Sequence, residues 1–183
     1  WQIDFAEIFS GDNPGFDIAI ANPPYLRQEI IDQSFSQMNL LITKNNIRNM
    51  YDDIDKITID GKADLYIYFY FRAFMLLKKK TGIHCFICSN SWLDDDFGGC
   101  LQSYIAKNCN KGIIINNPIS RAFDSADVNA IISILQSSDK FDYGAKIYFD
   151  SEGLLYNDRF IESFKNETNG FSFHSLIKPR EFQ

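Results

Sequence analysis

Apolar residues along this chain gather in short runs separated by polar, turn-forming breaks, and the runs differ in period. Residues 16–21 are apolar apart from Asp17, stand behind the turn Gly11-Asp12-Asn13-Pro14-Gly15, and predict a strand. The run stops at Asn22-Pro23-Pro24-Tyr25. Two prolines cannot continue a central strand, so this is a loop at a strand's C-terminal end. Residues 26–59 are polar and mixed, with helical patches and no assignable element. Over 63–80 the spacing predicts a helix, with Tyr66, Phe69, Tyr70, Ala73 and Leu77 as its core stripe and Lys78-Lys79-Lys80 at its C-terminal end.

A second apolar run, 82–88, predicts another strand, followed by a second strand-end loop, Ser89-Asn90-Ser91-Trp92-Leu93. Residues 97–108 read as a helix, and 111–116, 128–135 and 146–149 as strands. Beyond Ser137 the pattern weakens. Alternating strands and helices imply an α/β fold with a mostly parallel sheet and helices on both faces. Ligands of such sheets bind beyond the carboxyl ends of the strands, where both special loops fall.

Length and composition narrow the reading. A chain of 183 residues, 45% hydrophobic and 15% aromatic, suits one globular domain. No window reaches the roughly 20 apolar residues of a membrane span. The start has no Met and no basic segment, so it is read as a fragment start and not a signal peptide. The net charge of -6 counts against extensive DNA contact by this segment alone, because phosphate neutralisation supplies most nucleic-acid affinity. Cys85 and Cys88 have the spacing of a zinc half-site, but residues three apart on a strand point to opposite faces. Buried thiols in a reducing cytoplasm are the reading adopted, with no metal site. His84, at a strand's edge, and His174, in the tail, are read as structural.

The tetrapeptide Asn22-Pro23-Pro24-Tyr25 carries the chemistry. An exocyclic amine on an aromatic ring is a poor nucleophile, because its lone pair is delocalised. Two acceptors aimed at its N–H bonds favour a pyramidal nitrogen and free that pair. The Asn22 side-chain oxygen and the Pro23 carbonyl are candidates, on a backbone that prolines stiffen in advance. Tyr25 offers a face on which a base stacks, worth roughly 1–3 kcal/mol. That is comparable with the few kcal/mol needed to extrude a base from a duplex. A plain turn remains the other reading, since Asn and Pro are ordinary turn formers.

Residues 17–25 resemble the signature loop of S-adenosylmethionine-dependent methyltransferases that act on exocyclic amines. Leu26-Arg27-Gln28-Glu29, Ala63-Asp64-Leu65-Tyr66 through Leu77, the block 82–93, Phe97-Gly98-Gly99 and Leu101 resemble successive blocks of type IIG restriction-modification and phage-defence methylases. The resemblance covers roughly residues 2–136. It implies an adenine-specific DNA methyltransferase and the C-terminal half of a Rossmann-like, S-adenosylmethionine-dependent domain, mostly parallel with an antiparallel strand near one edge. Residues 1–137 would be part of the catalytic domain, and 138–183 its end and a connector toward a target recognition region.

By the same resemblance, Asn22 and Pro23 accept hydrogen bonds from the adenine amine, and Tyr25 stacks on the base. Phe123 is the second base-contacting aromatic, Asp4 and Phe5 hold the cofactor's adenine, and Asn22 and Pro24 border the methyl group. The partner is double-stranded DNA, held through the full-length protein, with no membrane role. The family's glycine-rich cofactor loop is not found, and Gly11 to Gly15 is no substitute, because no strand-to-helix unit surrounds it. The strand over 16–21 is then expected to present an unpaired edge open to association, leaving the fragment inactive and weak in cofactor binding. No Pro-Cys pair occurs, which argues against methylation of a cytosine ring carbon. Methylation of a protein glutamine and a non-catalytic binding remnant stay open as alternatives.

Overall fold

A computed structural model of the chain describes residues 3–27, 59–116, 129–138, 145–150 and 171–176, the last two as backbone strands. Six strands form one sheet: β1 (Ile18–Ala21), β2 (Ile83–Ser89), β3 (Cys109–Asn116), β4 (Ala130–Ser137), β5 (Ala145–Asp150) and β6 (Phe171–Leu176). Helix α1 (Leu65–Leu76) connects toward β2. After β2 come a single turn α2 (Ser91–Asp94), a 3-10 turn (Asp96–Gly98) and α3 (Gly99–Asn108). No described helix is long and apolar enough to cross a membrane.

The sheet order is β1-β2-β4-β3-β5-β6. β1 pairs with β2, and β3 with β5, in parallel; β2–β4, β3–β4 and β5–β6 are antiparallel. The fold is therefore α/β with a mixed sheet, and this corrects the expected arrangement. An antiparallel strand, β6, does lie at an edge, but the other, β4, lies inside the sheet between β2 and β3. Hydrophobic runs mark strands without giving their direction, which follows from how each is connected. β5 and β6 extend the same sheet, and β6 was not foreseen.

The described helices lie on one face only, whereas the sequence pattern suggested both. The passage from β1 to β2 and that from β2 to β3 advance the same way across the sheet. Right-handed crossovers that keep one direction place their helices on one face. α1 and α3 meet there, Tyr104 packing on Phe71 and Phe74. Toward the helices point His84, Phe86 and Cys88 of β2, registered against Leu135, Ser133 and Ile131 of β4. On the opposite face Ile83, Cys85 and Ile87 are only half-buried, and Ile18 and Ile20 of the edge strand β1 are exposed. Cys85 and Cys88 therefore do fall on opposite faces.

Helix α1 supplies more of the core than any other described element. Tyr66, Tyr70, Ala73 and Leu77 are buried as the spacing predicts, joined by Ile67, Phe71 and Phe74. Phe69 is 41% exposed and is a correction to that stripe. The inward arc centres on Tyr70, Phe74 and Leu77, so Phe69 falls with Arg72 and Leu76 on the outer side. The helix ends before the lysines because Leu77 turns extended and bridges to Phe16. Lys78 then reaches Asp17, at 2.6 Å. Gly15, at φ +118°, passes so close to the backbone of Leu77 and Lys78 that no side chain fits there.

His84 lies in an inner strand, fully buried, and not at a strand's edge. Its ring stacks on Tyr70 and Phe74, at centroid distances of 4.4 and 4.8 Å, and neither ring nitrogen has a hydrogen-bond partner. Burial disfavours the imidazolium and lowers its pKa from 6.5 to about 3. The unfolded chain thus binds a proton that the folded chain does not between those values, so this residue makes stability fall as pH falls through that window. The expected slope is about 1.4 kcal/mol per pH unit. Urea unfolding from pH 7 to pH 4 should show that slope in the wild type and lose it in His84→Phe. Equal pH dependence in both proteins would refute the burial of a neutral ring.

Candidate functional site at the strand ends

Parallel pairing of β1 with β2 sets two loops side by side. The register Ile20↔Cys85 and Ala21↔Phe86 means that the chain leaving β1 at Asn22 runs beside Ile87. The Tyr25 hydroxyl donates to the Ile87 carbonyl at 3.2 Å and fixes the ring. Burial, and then the nearby Cys88 thiol, push the Tyr25 hydroxyl up to about 12, so it stays a donor at neutral pH. Pro23 is buried, while Asn22 and Pro24 are exposed. Neither the Asn22 side chain nor the Pro23 carbonyl has a hydrogen-bond partner among the described residues. The exposed Asn22 carboxamide at the strand end is therefore open to a ligand, while Pro23 is buried.

The second loop leaves β2. The Ser89 hydroxyl accepts from the Ser91 backbone N–H at 3.2 Å and meets the Ser91 hydroxyl at 2.8 Å, turning the chain sharply. What reads as loop in the sequence is in fact the start of α2, and Trp92 is fully buried. The Gln102 side chain holds this turn by donating to the carbonyls of Trp92 and Leu93, at 2.9 and 3.1 Å. Because β4 runs antiparallel, its beginning lies at the end of β2, and the Asn90 N–H donates to the Asn129 carbonyl at 2.9 Å.

Between these loops lies a cavity of about 160 Å³. That is close to the roughly 150 Å³ that admits one benzene ring. Tyr25 and Tyr66 supply aromatic walls; Asn90, Asn129, Ser89 and Ser91 supply hydroxyls and carboxamides; Asp64 and Arg27 supply the charges. Asn22, Pro23 and Pro24 are not part of its lining. The cavity can take a planar polar heterocycle against Tyr25. Thiol chemistry has no support here, since burial raises the pKa of Cys88 to about 12.

The structure does not bring all the sequence candidates together. Asn22, Pro23, Pro24 and Tyr25 share one loop. Phe5 instead packs edge-to-face on Phe16, at 5.5 Å, where β1 begins. With Asp4 it lies toward the opposite end of the strand, which at 3.3 Å per residue puts Phe16 roughly 20 Å from Asn22. Phe123 lies outside the described residues. Sequence reasoning missed Asp64, Asn90 and Asn129 as lining residues. The strand-end rule pointed at Asn90; nothing local pointed at Asn129, which only the antiparallel β4 delivers.

Comparisons with known proteins bear on this geometry. The family model described as "Eco57I restriction-modification methylase" matches residues 1–123, more than half of the chain. The chain belongs to the Eco57I restriction-modification methylase family. Among similar proteins of known type is the Type II methyltransferase M.PaeR7I of Pseudomonas aeruginosa, 29% identical over 110 residues. That match covers 60% of this chain and 17% of the relative, so the chain spans about a sixth of the relative's length. A type I restriction-modification methyltransferase subunit from Streptococcus thermophilus aligns with a TM-score of 0.60 at 13% identity, covering 88% of this chain and 35% of the other. A DrdV–DNA complex aligns at 0.52 and 19%, covering 74% and 14%. At these identities the solved structures show the fold alone.

Tyr25→Phe keeps the ring and removes the hydroxyl that bonds Ile87. It should lower stability by about 1 kcal/mol, read from the urea midpoint. An unchanged midpoint would mean that the hydroxyl does not anchor the ring.

Proposed function

We propose that this chain is the target-base half of an adenine-specific DNA methyltransferase, of the type IIG or phage-defence kind, acting on double-stranded DNA in the cytoplasm. One observation carries the reading: two acceptors without a partner among the described residues, Asn22 and the Pro23 carbonyl, follow β1 directly, next to an anchored Tyr25 that faces a cavity. The amine of a flipped-out adenine donates to those two oxygens, which sharpens its lone pair. Tyr25 stacks on the ring, and Phe123 is the second aromatic contact. Because the loop is preset by two prolines, little reorganisation is left for the reaction itself.

The cofactor of this reading is S-adenosylmethionine, which supplies a methyl group on an already activated sulfonium. The described residues fit its methyl end through exposed Asn22 and Pro24. Asp4 and Phe5 are assigned to the cofactor's adenine; Phe5 packs on Phe16, where β1 begins. Residues 1–137 are assigned to the catalytic domain and 138–183 to its end and a connector. The edge strand β1, with Ile18 and Ile20 exposed, favours association through that edge.

Labelled methyl transfer by the full-length protein to adenine-containing duplex DNA tests the assignment. Asn22→Ala should reduce turnover by about a hundredfold or more, the usual loss when one preorganised hydrogen-bonding group is removed. Unaltered turnover, or label on a cytosine ring carbon or a protein glutamine, would refute it.

A further inference from the structure

Arg27 lies two residues past Tyr25 and lines the same cavity, yet orienting an amine gives it no task. Among the described residues it is the only lysine or arginine in the lining. Its side chain is exposed and has no hydrogen bond or ion pair with any described residue. Its backbone is held: the Leu65 N–H, at the start of α1, donates to the carbonyl of neighbouring Leu26 at 3.1 Å. Among the described residues the guanidinium is thus unengaged, on a fixed root. Lys78, by contrast, is engaged by Asp17.

A nucleotide whose base rests on Tyr25 brings its own anions. The cavity, at about 160 Å³, has room for little beyond the base, so the sugar and its phosphates stay at the rim. Asp64, the carboxylate of the described lining, makes the cavity itself a poorer place for a phosphate than its rim. Arg27 is the cation at the rim. A guanidinium presents a planar fork of donors that matches phosphate oxygens in pairs, an arrangement a lysine cannot copy. In a chain of net charge -6, general attraction to DNA is weak and one placed cation counts for more. We propose that Arg27 binds a phosphate flanking the flipped nucleotide and fixes the strand while Tyr25 takes the base. This rests on the base-stacking reading given above.

The test measures duplex affinity against salt concentration for full-length wild type, Arg27→Gln and Asn22→Ala. Arg27→Gln should weaken binding about tenfold and reduce the slope of log affinity against log salt by about one, whatever the DNA sequence. Asn22→Ala should keep the wild-type slope. A duplex with a neutral methylphosphonate beside the target adenine should weaken wild type similarly and leave Arg27→Gln no weaker than it already is. An unchanged slope, or additive losses from the two changes, overturns the proposal. So does a loss of S-adenosylmethionine affinity in Arg27→Gln without DNA, which would give the guanidinium to the cofactor's carboxylate. If Asn22→Ala stops methylation while Arg27→Gln keeps its slope, this inference alone fails. If Asn22→Ala still methylates, the amine-orienting role fails instead.

Discussion

The pairing of β1 with β2 in one direction and one register is the constraint on which the site depends. Four matched positions, from Ile18↔Ile83 to Ala21↔Phe86, bring two strand ends level. The loop that carries Tyr25 and the loop that carries Asn90 then border the same cavity. The Tyr25 bond to Ile87 is possible only in that register. A slip of one residue would also turn His84, Phe86 and Cys88 away from α1, so the core and the site are set by the same pairing.

Under the loops the core meets its polar demands with few bonds. The Tyr70 hydroxyl bonds Ser133 at 2.7 Å and the Cys88 thiol at 3.0 Å, tying α1 to two strands in a fully buried position. Gln102 secures the turn after β2 from below. The stacked His84 ring leaves both nitrogens without a partner among the described residues, a cost that the surrounding aromatic contacts offset. The result is a stiff floor with open polar groups above it. Preorganisation of that kind is what a reaction with an activated methyl donor asks of its protein.

Membership in the Eco57I restriction-modification methylase family agrees with this division of labour. The acidic balance of the chain leaves little general affinity for a polyanion, so grip on DNA must come from few, well-placed groups or from other parts of the protein. A single arginine at the rim of a base-sized cavity is economical in that setting, because it acts on the one phosphate whose position decides whether the base can enter.

Much of this was legible in the residues. The strand before Asn22, the aromatic helix, the buried run around Phe86 and the diproline bend are written in local spacing, since period and turn chemistry depend on near neighbours. What the chain order hid was non-local. β4 enters the middle of the sheet antiparallel, and so carries Asn129 to the end of β2. The sheet advances one way, and so its described helices share one face. Phe5 meets Phe16, and so Asp4 and Phe5 lie away from the loop. Strand direction, sheet order and the partner of each aromatic are settled by burial and hydrogen bonding between distant segments, which no short stretch of sequence encodes.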